Sequence, residues 1–410
     1  MSNRPTYTLR IADPHAHLFE VELTLASPDA EGQALRLPAW IPGSYMVRDF
    51  ARHVVRLECE VVAEDGSTTP HEVTKVDKST WRCAPLAAGV LRARWWVYAF
   101  DLSVRGAWLD QSRAYFNGVC VFLAAVGREG EPCRVHLERP SGYAGLGHRV
   151  ATSLRRVDVD NAGFGDYEAA NYDDLIDHPV EMSDVEREVF DVAGVPHGLV
   201  LSGRQRCDVD RLTDDLGAIC REYHRWLGTP TDLDRYEFLV HAADRMGGGL
   251  EHRFSNSCIV GRDSLPRRSM ADDDARYAQL LALLSHEYFH LWNVKRTQPA
   301  AFQPFDLTAE QYTRTLWVFE GITSYYDKLT LARARVISPT RYLSLLGDVI
   351  TGVMRTPGRR QMSVADSSFD AWIKLYKRDE NAHNSLISYY SKGSLIALGL
   401  DLLIRRETEG

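Results

Sequence analysis

Residues 285–294 read SHEYFHLWNV. His286 and His290 stand four apart, and Glu287 directly follows the first. On a helix, positions i and i+4 share a face one turn apart, so both imidazoles can reach one ion. Glu287 lies about 100° around the helix, beside such ligands and not among them. Zinc takes about three protein ligands and leaves a position for water. A carboxylate next to that water can accept its proton, which is the chemistry of His-Glu-x-x-His. The bland alternative is a pair of satisfied histidines on a core helix.

The third ligand sorts the subclass. A metzincin needs Gly and His three and six residues beyond the second histidine. Here those positions are Asn293 and Arg296, which excludes it. The other arrangement draws a glutamate from a second helix, and TLWVFEGITSYY supplies Glu320 between Phe319 and Ile322. An ionised carboxylate in so apolar a stretch needs a partner, and two imidazoles with a dication would be one. The alternative is a half-exposed glutamate on an amphipathic helix. A further candidate is MGGGLEHRFSN, residues 246–256. Gly248 and Gly249 let a backbone approach a ligand closely, and an extended edge there can pair with a peptide. Glu251 then offers a carboxylate near the metal, suited to a substrate ammonium. Taken alone, such a glycine run marks a turn.

The elements that must position these residues change character along the chain. In HLFEVELTLAS, Phe19, Val21, Leu23 and Leu25 alternate with Glu20, Glu22 and Thr24. In VVRLECEVV, Val55, Leu57, Cys59 and Val61 alternate with charged residues. Period two with one apolar face predicts half-buried antiparallel strands. Residues 1–168 therefore read as an all-β N-terminal domain. Beyond it the period changes. Leu212, Leu216, Ile219, Tyr223 and Leu227 fall on one helical face, with Gly228 as the stop. RYEFLVHAAD reads as a strand, and residues 272–292, 309–335 and 385–408 as long helices. The fold class is α+β multidomain, with residues 169–410 as a mainly helical second domain.

Composition narrows the function classes. The 410 residues are 45% hydrophobic and 25% charged, an ordinary globular balance. A net charge of −8 with no basic run gives no nucleic-acid partner. No apolar run approaches the roughly 20 residues of a membrane span, and the first residues carry no apolar signal segment. Seven dispersed cysteines without a C-x-x-C pair fit reduced thiols, so a cytoplasmic location is expected.

GGGLEH, HEYFHLWNVKR, LWVFEGITSYY and YYSKGSLIALGLDLLIR occur here in the order found in the glycyl aminopeptidases, zinc peptidases of the gluzincin clan. LPAWIPGSYMVRDFARH also looks like theirs, although Trp40 and Tyr45 in it read as turn packing. The resemblance spans nearly the whole chain. It implies a β-rich domain followed by a thermolysin-like catalytic domain. It implies one zinc ion per chain on His286, His290 and Glu320, with Glu287 as general base. By the same resemblance Glu251 holds the free amine of a peptide substrate, and a Tyr-x-Lys-Gly motif places the transition-state tyrosine at Tyr390. Family members commonly continue into further catalytic helix and a PDZ-like domain, whereas this chain stops at RRETEG, so a shortened C-terminus is expected. The implied activity is a zinc-dependent aminopeptidase that removes a small first residue, glycine favoured. A gluzincin endopeptidase and a catalytically idle peptide-binding module are the alternatives.

Overall fold

A computed structural model describes residues 4–143, 145–244 and 247–410. The chain divides into two compact units. The first comprises Met1–Ile41, Arg48–Glu186 and Val200–Ser202, and the second Pro42–Val47, Arg187–Leu199 and Gly203–Gly410. The expected boundary at 168/169 thus falls within the first unit. Among the described residues no helix is long and apolar enough to cross a membrane.

The first unit is built on an eight-stranded sheet. Its order is Arg155–Val159, Gly165–Ala169, Cys133–Leu137, Thr6–Asp13, Leu18–Ala26, Val90–Tyr98, Val54–Val62 and Thr68–His71. Leu18–Ala26 pairs antiparallel on both sides, and its four alternate apolar residues from Phe19 to Leu25 are fully buried, as period two requires. Val54–Val62 departs from the reading. A register shift between Val54 and Arg56 marks a bulge that turns Val55 outward, where it is 64% exposed. Buried Arg113 and Glu181 form a bidentate pair on adjacent strands, at 2.7–3.1 Å.

The second unit combines helices with a five-stranded sheet, of which Glu186 and Val200–Ser202 belong to the first unit. Its strands run in the order Glu186–Val192, Val195–Ser202, Tyr236–Ala243, Ser255–Gly261 and Gly248–Glu251. Tyr236–Ala243 and Ser255–Gly261 are parallel, and Gly248–Glu251 closes the edge antiparallel to its neighbour. Helix Val209–Leu227 ends at Gly228 as expected, and buries Leu212, Leu216, Ile219 and Tyr223. Residues 310–315, expected to be helical, are not. Backbone groups in and just after this stretch are engaged elsewhere: the Trp372 indole N–H donates to the Gln311 carbonyl, and the amide of Trp317, in the following turn, donates to Ser368 Oγ. Regular helix resumes only at Ile322, after a five-residue π turn over Trp317–Gly321.

A buried polar chain ties the His-Glu-x-x-His helix, Ala275–Phe289, to this scaffold. Tyr288 Oη lies 2.7 Å from His224 Nε2 and 2.7 Å from His197 Nε2. His197 Nδ1 is 2.9 Å from the Val195 carbonyl, so it carries the proton and Nε2 accepts from Tyr288. His224 Nδ1 faces Thr229 Oγ1 at 2.7 Å, and its Nε2–H donates to the phenol oxygen. Every donor has one acceptor, provided both rings are neutral. Burial, the larger cause, depresses both histidines to about 4.

This chain sets a pH dependence. Above about pH 6.5 neither the folded nor the unfolded state holds the extra protons. As pH falls through 6.5, the unfolded chain takes up protons that the folded chain refuses until about pH 4. Stability is therefore lost across that window, by roughly 3 kcal/mol at most for buried His197 and by less for His224. The urea midpoint is expected to fall between pH 6.5 and 4, and to fall less in His224→Gln, whose amide keeps the donor to Tyr288. Equal slopes in the two proteins would remove this histidine as a cause.

Candidate active site

Asp274 starts the helix by accepting the amides of Arg276 and Tyr277. Leu280, Leu281 and Leu284 anchor its buried face. His286 lies in the last turn and His290 forms the C-cap, so the two rings meet at 4.7 Å between centroids. Glu320 arrives on the π turn. Its Oε2 is 3.4 Å from His286 Nε2 and 3.4 Å from His290 Nε2. That spacing is long for a hydrogen bond. It matches two donors on one tetrahedral ion: ligands at 2.0–2.1 Å from zinc stand roughly 3.3–3.4 Å apart. The three donor atoms all lie within 4.8 Å of one another. The donor set therefore fits a divalent cation.

The outward nitrogen of each ring is engaged, which leaves Nε2 for the ion. His286 Nδ1 is 3.1 Å from Asp327 Oδ2, and Lys328 Nζ holds the other Asp327 oxygen at 2.9 Å. His290 Nδ1 is 2.8 Å from the Asn293 carbonyl. The Asn293 side chain in turn donates to the Phe319 carbonyl at 3.1 Å and to Thr323 Oγ1 at 3.2 Å. One residue thus fixes both a histidine ring and the turn carrying Glu320. A π turn leaves carbonyls out of helical register, and Asn293 serves one of them. Burial alone would depress His286, but Asp327, Glu320 and Glu287 outweigh it and push it up to about 10. Glu320 goes the other way: burial raises it, yet the two histidines bring it to about 2.

Two glycines bring the Glu320 turn onto the C-terminal helix Tyr389–Glu407. A Cβ on Gly393 would stand 3.0 Å from the Gly321 Cα and 3.0 Å from the Trp317 carbonyl oxygen. The backbones touch there, so Glu320 and Tyr390 share one region. The Tyr390 ring lies 6.2 Å from that of His286, and its hydroxyl 3.3 Å from the Tyr376 hydroxyl. Tyr389 is wholly buried and stacks beneath Tyr390 at 4.6 Å.

A second group shares His290. Carboxylate oxygens of Glu251 and Glu287 lie within 4.8 Å of each other and of a His290 nitrogen. Since His290 has one free nitrogen, the two groups cannot each hold an ion through it. Glu287 is 5% exposed, and burial first, then the Glu251 and Glu320 charges, push it up to about 7 against the opposing histidines. A Cβ on Gly249 would collide with Glu287 Oε1, so the edge strand Gly248–Glu251 reaches this helix only because that position is glycine. Of the stretch 246–256, Met246 lies outside the described residues.

Every residue singled out from the sequence is therefore in one neighbourhood or on the strand beside it. Asp327, Asn293, Gly321 and Gly393 were missed. Asp327 had a signal, a carboxylate two helical turns beyond Glu320. Asn293 had none, because its part depends on a π turn that periodicity does not reveal.

Residues 6–184 match the peptidase M61 N-terminal domain, and residues 279–396 match the M61 glycyl aminopeptidase family. Among solved structures, an aminopeptidase N family protein from Idiomarina loihiensis is similar, with a TM-score of 0.95 and 40% identity. The match covers 99% of this chain and 67% of that one. Among curated proteins, none matches.

If the three donors hold a divalent cation, Asn293→Ala and Asp327→Ala are each expected to weaken its binding by about 10–100-fold, since each frees a donor ring to turn. Chelator competition measures this, and unchanged affinity in both would show the rings to be held by other means. Gly393→Ala is expected to cost about 1–3 kcal/mol by overpacking and to weaken cation binding as the Glu320 turn is pushed away. A stability loss with unchanged cation affinity would separate the crossing from the donor geometry.

Proposed function

This chain belongs to the M61 glycyl aminopeptidase family of peptidases, and on that premise we propose that it is a zinc-dependent aminopeptidase. His286, His290 and Glu320 are the ligands, and Glu287 is the general base. Glu251 binds the substrate's ammonium, and Tyr390 stabilises the oxyanion. Gly248 and Gly249 lie along the substrate backbone on the edge strand. The observation that carries the reading is the juxtaposition of the two carboxylates at His290: a base beside the ion, and an anion within 4.8 Å of that base. Consecutive Cα atoms are 3.8 Å apart, so a separation of at most 4.8 Å is of the order of one residue rather than several. That distance favours release of a single residue.

Zinc held by the three ligands would supply Lewis acidity to a water and to the scissile carbonyl. The chain's own residues do the remainder. The Glu287 carboxylate takes a proton from the attacking water and returns it to the leaving amine. The Tyr390 hydroxyl donates to the oxygen that gains charge as the carbonyl becomes tetrahedral. Glu251 fixes the free terminus by charge-assisted hydrogen bonds. The preference for glycine as first residue rests on the family.

The test uses Gly-, Ala- and Leu-reporter amides and acetyl-Gly. Glu320→Gln should weaken zinc binding sharply. Glu287→Ala should keep zinc and lose about 10²-fold or more in turnover, and Tyr390→Phe should keep zinc and lower kcat. Charge-assisted hydrogen bonds are worth roughly 1.5–3 kcal/mol each, so acetylation should lower kcat/KM at least about tenfold. Glu251→Gln should erase that difference. Equal cleavage of free and acetylated substrates by the parent protein would instead make it an endopeptidase.

A further inference from the structure

Residues Pro42–Val47 come from the first fifty of the chain, yet they pack as part of the second unit. The turn places Gly43 at φ +88°, a backbone conformation that side chains rarely adopt. A Cβ added there would stand 2.6 Å from both carboxylate oxygens of Glu251. Two positions on, Tyr45 is buried among aromatic rings. It stacks on Phe302 at 5.8 Å and meets Trp372 and Tyr376 edge-on at 6.0 and 6.2 Å. Tyr376 is the residue whose hydroxyl faces that of Tyr390. The turn is therefore pinned by its tyrosine, and its glycine lies flat against the carboxylate.

We propose that Gly43 is a positioning residue for substrate binding: its bare α-carbon sets where the Glu251 carboxylate sits to receive the ammonium of the first residue. The inference rests on the reading of Glu251 as the amine-binding group. Glu251 is 4% exposed, and its carboxylate lies close to that of Glu287 on another side. Ordinary van der Waals contact begins near 3.4 Å, so a methyl at position 43 would drive the carboxylate back by most of an ångström. A hydrogen bond to an ammonium does not survive such a shift at full strength. The zinc ligands lie on other segments and are not touched by the turn's glycine. The effect should therefore appear in recognition of the free terminus, not in metal binding.

A double-mutant cycle tests this with the parent chain, Gly43→Ala, Glu251→Ala and the double variant. Each is assayed for zinc content and for hydrolysis of glycyl-para-nitroanilide and its N-acetyl form. Calorimetric binding of glycyl-para-nitroanilide in a Glu287→Ala background gives the same comparison without turnover. Gly43→Ala is expected to raise KM for the free-amine substrate at least tenfold, with a smaller change in kcat. Zinc content should be unchanged, and the preference for the free over the acetylated amine should drop about tenfold. In the Glu251→Ala background the same change should add less than twofold, because the colliding carboxylate is gone. Equal losses in both backgrounds, or failure to fold in both, would overturn the proposal and leave Gly43 as a residue of the turn alone. Unchanged KM in Gly43→Ala, with discrimination lost in Glu251→Ala, would overturn it and keep the amine-binding reading. Full discrimination in Glu251→Ala would overturn both.

Discussion

Burying the Glu320 carboxylate against two imidazoles is the constraint around which the second unit is arranged. Taking an ion out of water costs several kcal/mol, and mutual attraction returns this only when geometry is good. Glu320 is 2% exposed, so it depends wholly on what surrounds it. The surroundings are specific. A π turn offsets Glu320 from the regular helix that follows. Asn293 braces the turn's carbonyls, and a glycine contact lets the C-terminal helix close over the same spot. Each feature would weaken an ordinary helix. Together they put one oxygen at equal distance from two nitrogens, a spacing that fits donors to one divalent ion.

Legibility followed the range of the interactions. The spacing of His286 and His290 is set within one helical turn, so sequence alone placed both rings on one face. The strand Leu18–Ala26 was equally plain, because the one register shift in its pairing, between Ile11 and Asp13, lies on its neighbour and leaves its own alternation intact. Val55 was misread because a bulge changes which face follows, and a bulge leaves no mark on alternation. Residues 310–315 were misread because a hydrogen bond from Trp372 and one accepted by Ser368, each more than fifty positions away, claim backbone groups at that end of the expected helix. Tyr45 was read as packing, and it is packing; what the sequence concealed was against what. Its partners are Phe302, Trp372 and Tyr376, none within reach of a local pattern.

The charges around His290 indicate what kind of substrate completes the site. Four carboxylates crowd the two histidines: Glu251 and Glu287 on one side, and Glu320 and Asp327 on the other. Lys328 balances one through its contact with Asp327, and a divalent ligand balances two more. One negative charge is left over, and the arrangement decides where it falls. Glu320 would face the ion, and Asp327 is held between His286 and Lys328. Glu251 lies on an edge strand, with a glycine α-carbon against it. A neutral, acetylated terminus would leave that carboxylate buried without a counter-charge, at a cost comparable to any unpaired buried ion. On the role proposed for Glu251, a free ammonium would supply that counter-charge, and the burial of the carboxylate would then favour a chain end.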